Sequence, residues 1–284
     1  MSQWSYQTPQ QFSDEEYARW QALLEKRTGI SFVNHKSILQ KGLVRRMREI
    51  GIDDYDEYFR SVSAVPEGVV EWVRLVDHIS VKETSFFRDL DAYKVLRKYL
   101  KICLEEKIKS QSYSLDLWSV GCSTGEEPYS LAIQSAELID DLSANFFLGV
   151  IATDISQSAL SNAKRGVYQG RKLDNLSGAL KNKYFLPVGD MGYQVLPELR
   201  QRVCFVQGNM LELDASPVMD MDVIFCQNVL IYFRRELRHQ ILNGLMKRLK
   251  PGGLLVVSPG EAVGWAHKEA RRIEEETAQA YIKV

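Results

Sequence analysis

The spacing of apolar and polar positions changes along this 284-residue chain. From residue 12 to about residue 80, apolar positions recur at helical spacing. The first such segment follows Ser13, a candidate N-cap with an acidic turn after it, and ends at Gly29; a second predicted helix covers residues 36–50. The pattern therefore predicts a helical domain over residues 1–80.

Short apolar runs alternate with helical patterns from about residue 115 onward. The runs are LDLWSV, FLGVIATD, VCFVQ, DVIFC and GLLVVS. Strands that alternate with helices predict a parallel sheet with crossover helices, and hence an α/β domain over residues 111–284. Residues 81–110 are expected to form a linker and lid. An insertion is expected from about residue 168 to residue 203, with its own helix and a small β hairpin around residues 189–192.

The composition excludes several classes of protein. With 45% hydrophobic and 26% charged residues the chain is typical of a soluble globular protein, and a net charge of -1 argues against a general nucleic-acid binder. No apolar run approaches the roughly 18 residues that a membrane helix needs, and the N-terminus lacks a signal-peptide pattern, so a cytoplasmic protein is expected. The cysteines and histidines lack metal-site spacing, which favours reduced thiols over a zinc site.

The loop after the first predicted strand carries candidate chemistry. In an open α/β sheet, ligands bind beyond the carboxyl ends of the strands. Here Gly121 and Gly125 permit a tight turn, and Glu126 and Glu127 follow. Two carboxylates would repel a phosphate and attract a cation. They are also consistent with favourable charges in the first turn of the next helix.

Asp154 ends the second predicted strand, 33 residues after Gly121. An acidic residue at this point can accept hydrogen bonds from both ribose hydroxyls of a nucleoside. Together with the acidic loop, it predicts a nucleoside ligand that carries positive charge instead of phosphate, such as S-adenosyl-L-methionine (AdoMet). Asn209 and the Gln227-Asn228 pair follow the third and fourth strands and could frame the adenine and the methyl group, although asparagine after a strand is more often a turn former.

Several motifs resemble those of CheR-type chemotaxis receptor methyltransferases in order and approximate spacing. They are SVKETSFFRD, WSVGCSTGEEPYSLAI, ATDIS, CQNVLIYF and LKPGGLL, and TGISFVNHKSILQKGLVRRMRE is similar to the helical domain of that family. The resemblance covers residues of about 12–284. It implies a Rossmann-like AdoMet-dependent methyltransferase domain. The implied reaction is O-methylation of glutamate side chains on chemoreceptors, giving glutamyl methyl esters and S-adenosyl-L-homocysteine (AdoHcy).

The same resemblance implies the residues of the site. The implied cofactor contacts are Lys82, Thr84, Arg88, Gly121, Glu127, Asp154, Asn209, Met210, Gln227 and Asn228. Arg88 and Tyr232 would lie nearest the transferred methyl group and act as catalytic residues. Taken without the resemblance, they are more simply a surface arginine in an ion pair and a core tyrosine. A glutamate substrate is already ionised at neutral pH, so no general base is required.

Two positions depart from the family pattern. Lys82 stands where the family usually has asparagine, and Gln227 where it usually has arginine. Our hypothesis is that the two changes compensate in charge, in which case single reversions would weaken AdoMet binding and the double reversion would restore it. Additive effects would contradict that hypothesis. The departures also leave open a regulatory module that binds AdoMet or AdoHcy without turnover.

The partner is expected to be the cytoplasmic domain of methyl-accepting chemoreceptors. Residues 26–48 contain seven lysines or arginines and no acidic residue. A helical projection places Lys41, Arg45 and Arg48 opposite an apolar stripe, which is either a solvated face or, as the resemblance implies, a surface that meets the acidic receptor. The insertion looks short, so a tether-independent enzyme is expected, acting as a monomer.

The pathway stays open between chemotaxis and a related surface-motility (type IV pilus) system. A methyltransferase of nucleic acid or of a small molecule is a further alternative. The overall charge and the absence of an Asn-Pro-Pro-Tyr type motif argue against a nucleic-acid substrate.

Overall fold

The computed structural model describes most of the chain. The described residues are 12–33, 35–64, 66–142, 144–215, 217–218, 220–274 and 278–284. The chain divides into two compact units, an N-terminal unit of residues 1–81 and a C-terminal unit of residues 82–284. Within the described ranges, no helix combines the length and the apolar character that crossing a membrane requires.

Helices form the described part of the N-terminal unit. They are α1 Asp14–Thr28, α2 Lys36–Ile50, α3 Tyr55–Ser63 and α4 Val69–Ile79. Ser13 caps α1 as the sequence predicts, because its Oγ accepts a hydrogen bond from the backbone N–H of Glu16 at 3.1 Å. The Glu16 carboxylate accepts one in return from the N–H of Ser13 at 2.7 Å. These reciprocal bonds satisfy amide groups that the first helical turn leaves without partners. The predicted bounds of α2 are confirmed.

One arginine of α2 is buried. Arg46 is 7% exposed, and its guanidinium donates two hydrogen bonds of 2.7 Å to the carboxylate of Glu71 on α4. Tyr58 on α3 donates to the same carboxylate at 2.9 Å. The opposite charges are thus paired and hydrogen-bonded, which is the condition for burying them. The basic segment of residues 26–48 therefore presents one positive charge fewer at the surface than its sequence suggests.

Strands alternate with helices in the C-terminal unit. The helices are α5 Leu90–Lys109, α6 Glu126–Asp140, α7 Gln157–Arg165, α8 Gly178–Tyr184, α9 Pro197–Arg200 and α10 Arg235–Lys247. The strands are β1 Ser114–Val120, β2 Phe147–Asp154, β3 Val167–Tyr168, β4 Phe185–Pro187, β5 Tyr193–Val195, β6 Val203–Gln207, β7 Met221–Cys226, β8 Leu249–Val257, β9 Ala270–Arg272 and β10 Gln279–Lys283.

The apolar runs of the sequence form the parallel part of one sheet. Their strands pair in the order β6-β2-β1-β7-β8, and β10 and β9 continue it in antiparallel pairing. A separate antiparallel sheet, β3-β5-β4, is the small β insertion. The predicted fold class is therefore confirmed. Strand order reverses between β1 and β7, so the carboxyl ends of these strands border the crevice in which such sheets bind ligands.

The opposite, amino end of the sheet holds a cluster of buried charges. The Asp222 side chain, at the start of β7, is 6% exposed and pairs with Lys107 at 2.8 Å and with Lys250 at 3.1 Å. Its Oδ2 also accepts a hydrogen bond of 2.8 Å from the backbone N–H of Asp116 on β1. This Asp222 cluster ties α5, β1, β7 and β8 together at the end of the sheet that faces away from the crevice.

Candidate functional site

The loop after β1 turns sharply at Gly121. This residue has φ 74°, and a Cβ added to it would lie 2.5 Å from Cγ2 of Val229, so only glycine fits. The backbone N–H groups of Gly121 and Cys122 both donate to the carbonyl of Thr153, at 2.8 and 2.9 Å. The turn is thereby fixed against the end of β2 and against the loop that follows β7.

Asp154, at the end of β2, faces this turn. Its Oδ2 accepts a hydrogen bond of 2.8 Å from the N–H of Ser123, and its Oδ1 accepts one of 2.8 Å from the N–H of Ser156. Two backbone donors hold the carboxylate in one orientation and stabilise its charged form. The structure therefore brings Asp154 and the β1 loop together, as the sequence predicts for a nucleoside site.

The two glutamates of the opening turn of α6 differ in their surroundings. The Glu126 side chain is 1% exposed and pairs with Lys172 at 3.2 Å, and Thr124 Oγ1 donates to it at 2.6 Å. Glu126 is thus occupied by a structural ion pair. The Glu127 carboxylate instead accepts a hydrogen bond of 2.7 Å from Ser119 Oγ, which leaves Glu127 as the acidic group of this turn that fits a cationic ligand.

Burial raises the pKa of Glu127 to about 8. The hydrogen bond from Ser119 opposes this rise in pKa, the negative charge of Glu261 adds to it, and the positive charge of Arg88 reduces it. A buried carboxyl of this kind, beside charged partners at the end of a sheet, is typical of a binding or catalytic site.

Helix α5 occupies most of residues 81–110, and the lid role of this range stays a prediction. Residues 82–89, before α5, are bonded to the inserted segment and to α6. Phe86 N–H donates to the carbonyl of Lys172 at 3.0 Å, and Phe87 N–H donates to Ser130 Oγ at 3.1 Å. Asn175 Nδ2 donates to the carbonyls of Phe86 and Phe87 at 3.3 and 3.2 Å. The Lys172 ammonium donates to the carbonyl of Thr84. These bonds fix the predicted cofactor residue Thr84 through its backbone.

Arg88 lies exposed near the end of residues 82–89. Its Nη1 donates to the carbonyl of Glu83 at 2.9 Å. Burial raises the pKa of Tyr232, and the positive charge of Arg88 reduces that rise. The charge of Arg88 also reduces the rise in the pKa of Glu127. The hydrogen bond of 3.3 Å from Gln227 Nε2 to the Asp89 carboxylate keeps the segment that carries Arg88 beside the loop that carries Tyr232. The catalytic roles of Arg88 and Tyr232 stay a prediction.

Lys82 and Gln227, which depart from the family pattern, form hydrogen bonds to different elements. Lys82 Nζ donates to Ser158 Oγ on α7 at 2.7 Å. Gln227 is 8% exposed, and its Nε2 donates to the carboxylate of Asp89, the N-cap of α5, at 3.3 Å. The neighbouring Asn228 has φ 58°, and its N–H donates to Ser258 Oγ at 2.8 Å. The compensation between Lys82 and Gln227 stays a hypothesis.

Asn209 and Met210 follow β6 at the same edge of the sheet. The Asn209 Oδ1 accepts a hydrogen bond of 3.1 Å from the N–H of Leu211, which is the turn-forming role that asparagine commonly has. The N–H of Gly208 donates to the carbonyl of Asp154 at 3.0 Å. This bond keeps the segment beside the β2 end, where the sequence predicts the adenine.

The predicted substrate residues lie in the N-terminal unit. Lys41, Arg45 and Arg48 are exposed on α2, opposite the buried Leu39 and Leu43. The helical projection from the sequence is thus confirmed, and these three cations form what we call the α2 basic face.

Sequence reasoning missed Glu261 and Ser258, which follow β8. Glu261 is fully buried beside the loop that carries Asn228 and Tyr232. The rule that ligands bind beyond the carboxyl ends of parallel strands covers β8 as well, so it could have directed attention to the segment SPGE.

Comparisons of the sequence with known proteins find matches for both units of the chain. The family described as "CheR methyltransferase, SAM binding domain" matches residues 82–280, and "CheR methyltransferase, all-alpha domain" matches residues 15–80. Chemotaxis protein methyltransferase 1 of Pseudomonas aeruginosa is 34% identical, over 88% of this chain and 91% of its own length. The chemotaxis protein methyltransferases of Borreliella burgdorferi and Escherichia coli are each 30% identical, over 88% and 91% of this chain and 88% and 87% of their own lengths.

Proposed function

Because the chain belongs to the CheR methyltransferase family and is an AdoMet-dependent methyltransferase, we propose that it methylates glutamate side chains on the cytoplasmic domain of chemoreceptors. The observation that carries the proposal is the arrangement at one edge of the sheet, where Asp154 and Glu127 lie at the turn after β1. Gln227 joins the segment that carries Arg88 to the loop that carries Tyr232 at this edge. Acidic groups there suit a cationic nucleoside, and an arginine beside them suits a carboxylate substrate.

The residues at the strand ends fit AdoMet. Asp154 would accept hydrogen bonds from the ribose hydroxyls, since its carboxylate is held by the N–H groups of Ser123 and Ser156. Glu127 would bind the ammonium group, and Asn209 with Met210 would border the adenine. The turn at Gly121 lets the backbone approach the ligand. When bound, AdoMet supplies a methyl group on a cationic sulfur, which a carboxylate oxygen can accept directly.

The catalytic work of the chain is positioning. Arg88 would bind the substrate carboxylate through charge-assisted hydrogen bonds and hold one oxygen in line with the methyl group. A tyrosine hydroxyl is protonated at neutral pH, and burial raises the pKa of Tyr232 further, so Tyr232 would donate a hydrogen bond at the reacting centre. A glutamate substrate is already ionised, which is why the site needs no general base.

The α2 basic face supports the choice of an acidic protein partner. Lys41, Arg45 and Arg48 are exposed together on one side of the helix. Arg45 lies 3.7 Å from Glu49 in an exposed ion pair, whereas the nearby Arg46 is paired inside the unit. Exposed cations steer an acidic partner and make its binding sensitive to salt. Chemoreceptor segments that carry methylatable glutamates have the matching charge.

A methylation assay tests this proposed function. Purified protein is incubated with tritium-labelled AdoMet and a receptor cytoplasmic fragment, and base-labile methanol is counted, because methyl esters release it. A fragment with glutamine at the methylation positions is the matched substrate control, and RNA is offered separately. We expect label in the first fragment alone, and loss of labelling in Asp154→Ala. Tight AdoHcy binding without labelling of any receptor would refute the proposal and identify a binding module instead.

A further inference from the structure

Glu261 is a fully buried carboxylate in the turn after β8. Its Oε2 accepts a hydrogen bond of 3.0 Å from the N–H of Ser258, and its Oε1 accepts one of 3.1 Å from the N–H of Ile231. Burial raises its pKa, and the backbone amides of Ser258, Ile231, Leu230 and Val229 limit that rise. The carboxylate thus binds a cluster of backbone N–H groups, much as a bound anion would.

Ile231, whose backbone N–H Glu261 binds, belongs to the loop after β7. This loop carries Asn228 in a left-handed conformation, with φ 58°, and Tyr232 in a single helical turn. The N–H of Asn228 is bonded in turn to Ser258 Oγ at 2.8 Å. Gly121 also packs against Val229 of this loop. The positions of several predicted site residues therefore depend on one buried side chain.

A carboxylate suits this role better than an amide. Both of its oxygens accept hydrogen bonds, and donors approach both of them here. Glutamine would keep one acceptor but would turn an NH₂ group towards a backbone N–H, because the side chain has the same length. Aspartate would keep the charge but has one methylene fewer, so it would reach the two loops less well.

We propose that Glu261 is a positioning residue for methyl transfer. Its buried carboxylate joins the loops after β7 and β8 and so fixes Tyr232 relative to Arg88 and Glu127. The inference rests on the proposed function for the role of Tyr232, while the anchoring of the loop can be measured without any substrate.

The test compares Glu261→Gln and Glu261→Asp with Asp222→Asn. Asp222 is a matched control, since it is also a buried carboxylate that accepts a backbone hydrogen bond, at the other end of β7. For each variant the amide hydrogen exchange of residues 227–233, the AdoHcy affinity, the melting temperature, and the kcat and KM for the receptor are measured.

We expect Glu261→Gln to speed exchange in residues 227–233 and to lower kcat at least about tenfold, since small displacements of reacting groups are costly. KM for the receptor should change little, and Glu261→Asp should be intermediate. Asp222→Asn should lower the melting temperature and leave exchange in residues 227–233 and kcat unchanged. The difference between the Glu261 and Asp222 variants distinguishes a positioning residue from one that only stabilises the fold.

Other outcomes would overturn the inference. An unchanged kcat and unchanged local exchange in folded Glu261→Gln would do so. If kcat falls in parallel with the melting temperature in both Glu261→Gln and Asp222→Asn, the role of Glu261 is purely structural. If Glu261→Gln does not fold, Glu261→Asp decides by the same two criteria. If the wild-type protein binds AdoHcy but labels no receptor, the proposed function fails, and the exchange experiment still decides whether Glu261 anchors the loop.

Discussion

The protonation of Glu127 couples cofactor binding to pH. Because its pKa is raised to about 8, the carboxyl is mostly protonated at pH 7, whereas the ammonium of the ligand favours the ionised form. Binding of AdoHcy at pH 7 should therefore release about one proton, and the affinity should rise between pH 6 and pH 8. Calorimetry in buffers with different ionisation enthalpies measures the released proton directly.

The neighbouring glutamate supplies the control for that experiment. Glu127→Gln should abolish the proton release and weaken AdoHcy binding by about tenfold. Glu126→Gln should retain the proton release, since Glu126 bonds to Thr124 and Lys172. Equal proton release by wild type and Glu127→Gln would show that another group titrates on binding.

Residues whose position follows from one strand were predictable from the sequence. Asp154 is such a residue, because it directly ends an apolar run. Glu261 and the buried Arg46 were not, because their partners lie far along the chain: Ile231 for Glu261 and Glu71 for Arg46. Nothing local distinguishes Arg46 from the exposed Arg45 beside it.

At the level of elements, the insertion supports residues 82–89. Lys172 bonds to the Thr84 carbonyl and pairs with Glu126 at 3.2 Å. Lys172→Met removes both contacts, so we expect AdoHcy binding to weaken by about tenfold or more, which is the size expected for the loss of a hydrogen bond to a charged group. The exposed neighbour Arg171 provides the matched control, and Arg171→Met should bind AdoHcy normally. The prediction is wrong if the two variants bind AdoHcy alike.

The α2 basic face predicts a separate effect on the partner. Charge reversal of Lys41, Arg45 and Arg48 to glutamate should slow receptor methylation by about tenfold at low salt and by less at high salt. AdoHcy affinity should stay unchanged, because these residues belong to the N-terminal unit. Initial rates at several salt concentrations measure the effect.

A second triple variant controls for net charge. Arg97, Lys98 and Lys101 are exposed on α5, and their reversal to glutamate changes the total charge by the same amount. Equal slowing by both triple variants would attribute the effect to overall charge and would remove the α2 basic face from the proposal.

At the scale of the whole molecule, the parallel part of the sheet follows from the sequence because each of its strands is a continuous apolar run. The short strands β3 and β9 were not individually predictable. They contain two and three residues, so they show no clear periodicity, and pairing with neighbours decides their conformation. The position of the Asp222 cluster, at the end of the sheet opposite the candidate site, could not be predicted either. The cluster joins residues from four separate elements.

Because the Asp222 cluster and the candidate site lie at opposite ends of the sheet, a substitution in the cluster should lower stability without changing cofactor binding. Asp222→Asn removes the carboxylate that pairs with the buried Lys107 at 2.8 Å, whereas Lys250 keeps its pairing with Asp116 at 3.1 Å. The free energy of unfolding should fall by about 3 kcal/mol, as expected when one partner of a buried ion pair is removed. AdoHcy affinity should be unchanged, because the substitution lies at the amino end of β7 and the site at its carboxyl end. Urea unfolding and calorimetry on the same preparation test both parts, and a parallel loss of affinity would mean that the two ends of the sheet are coupled.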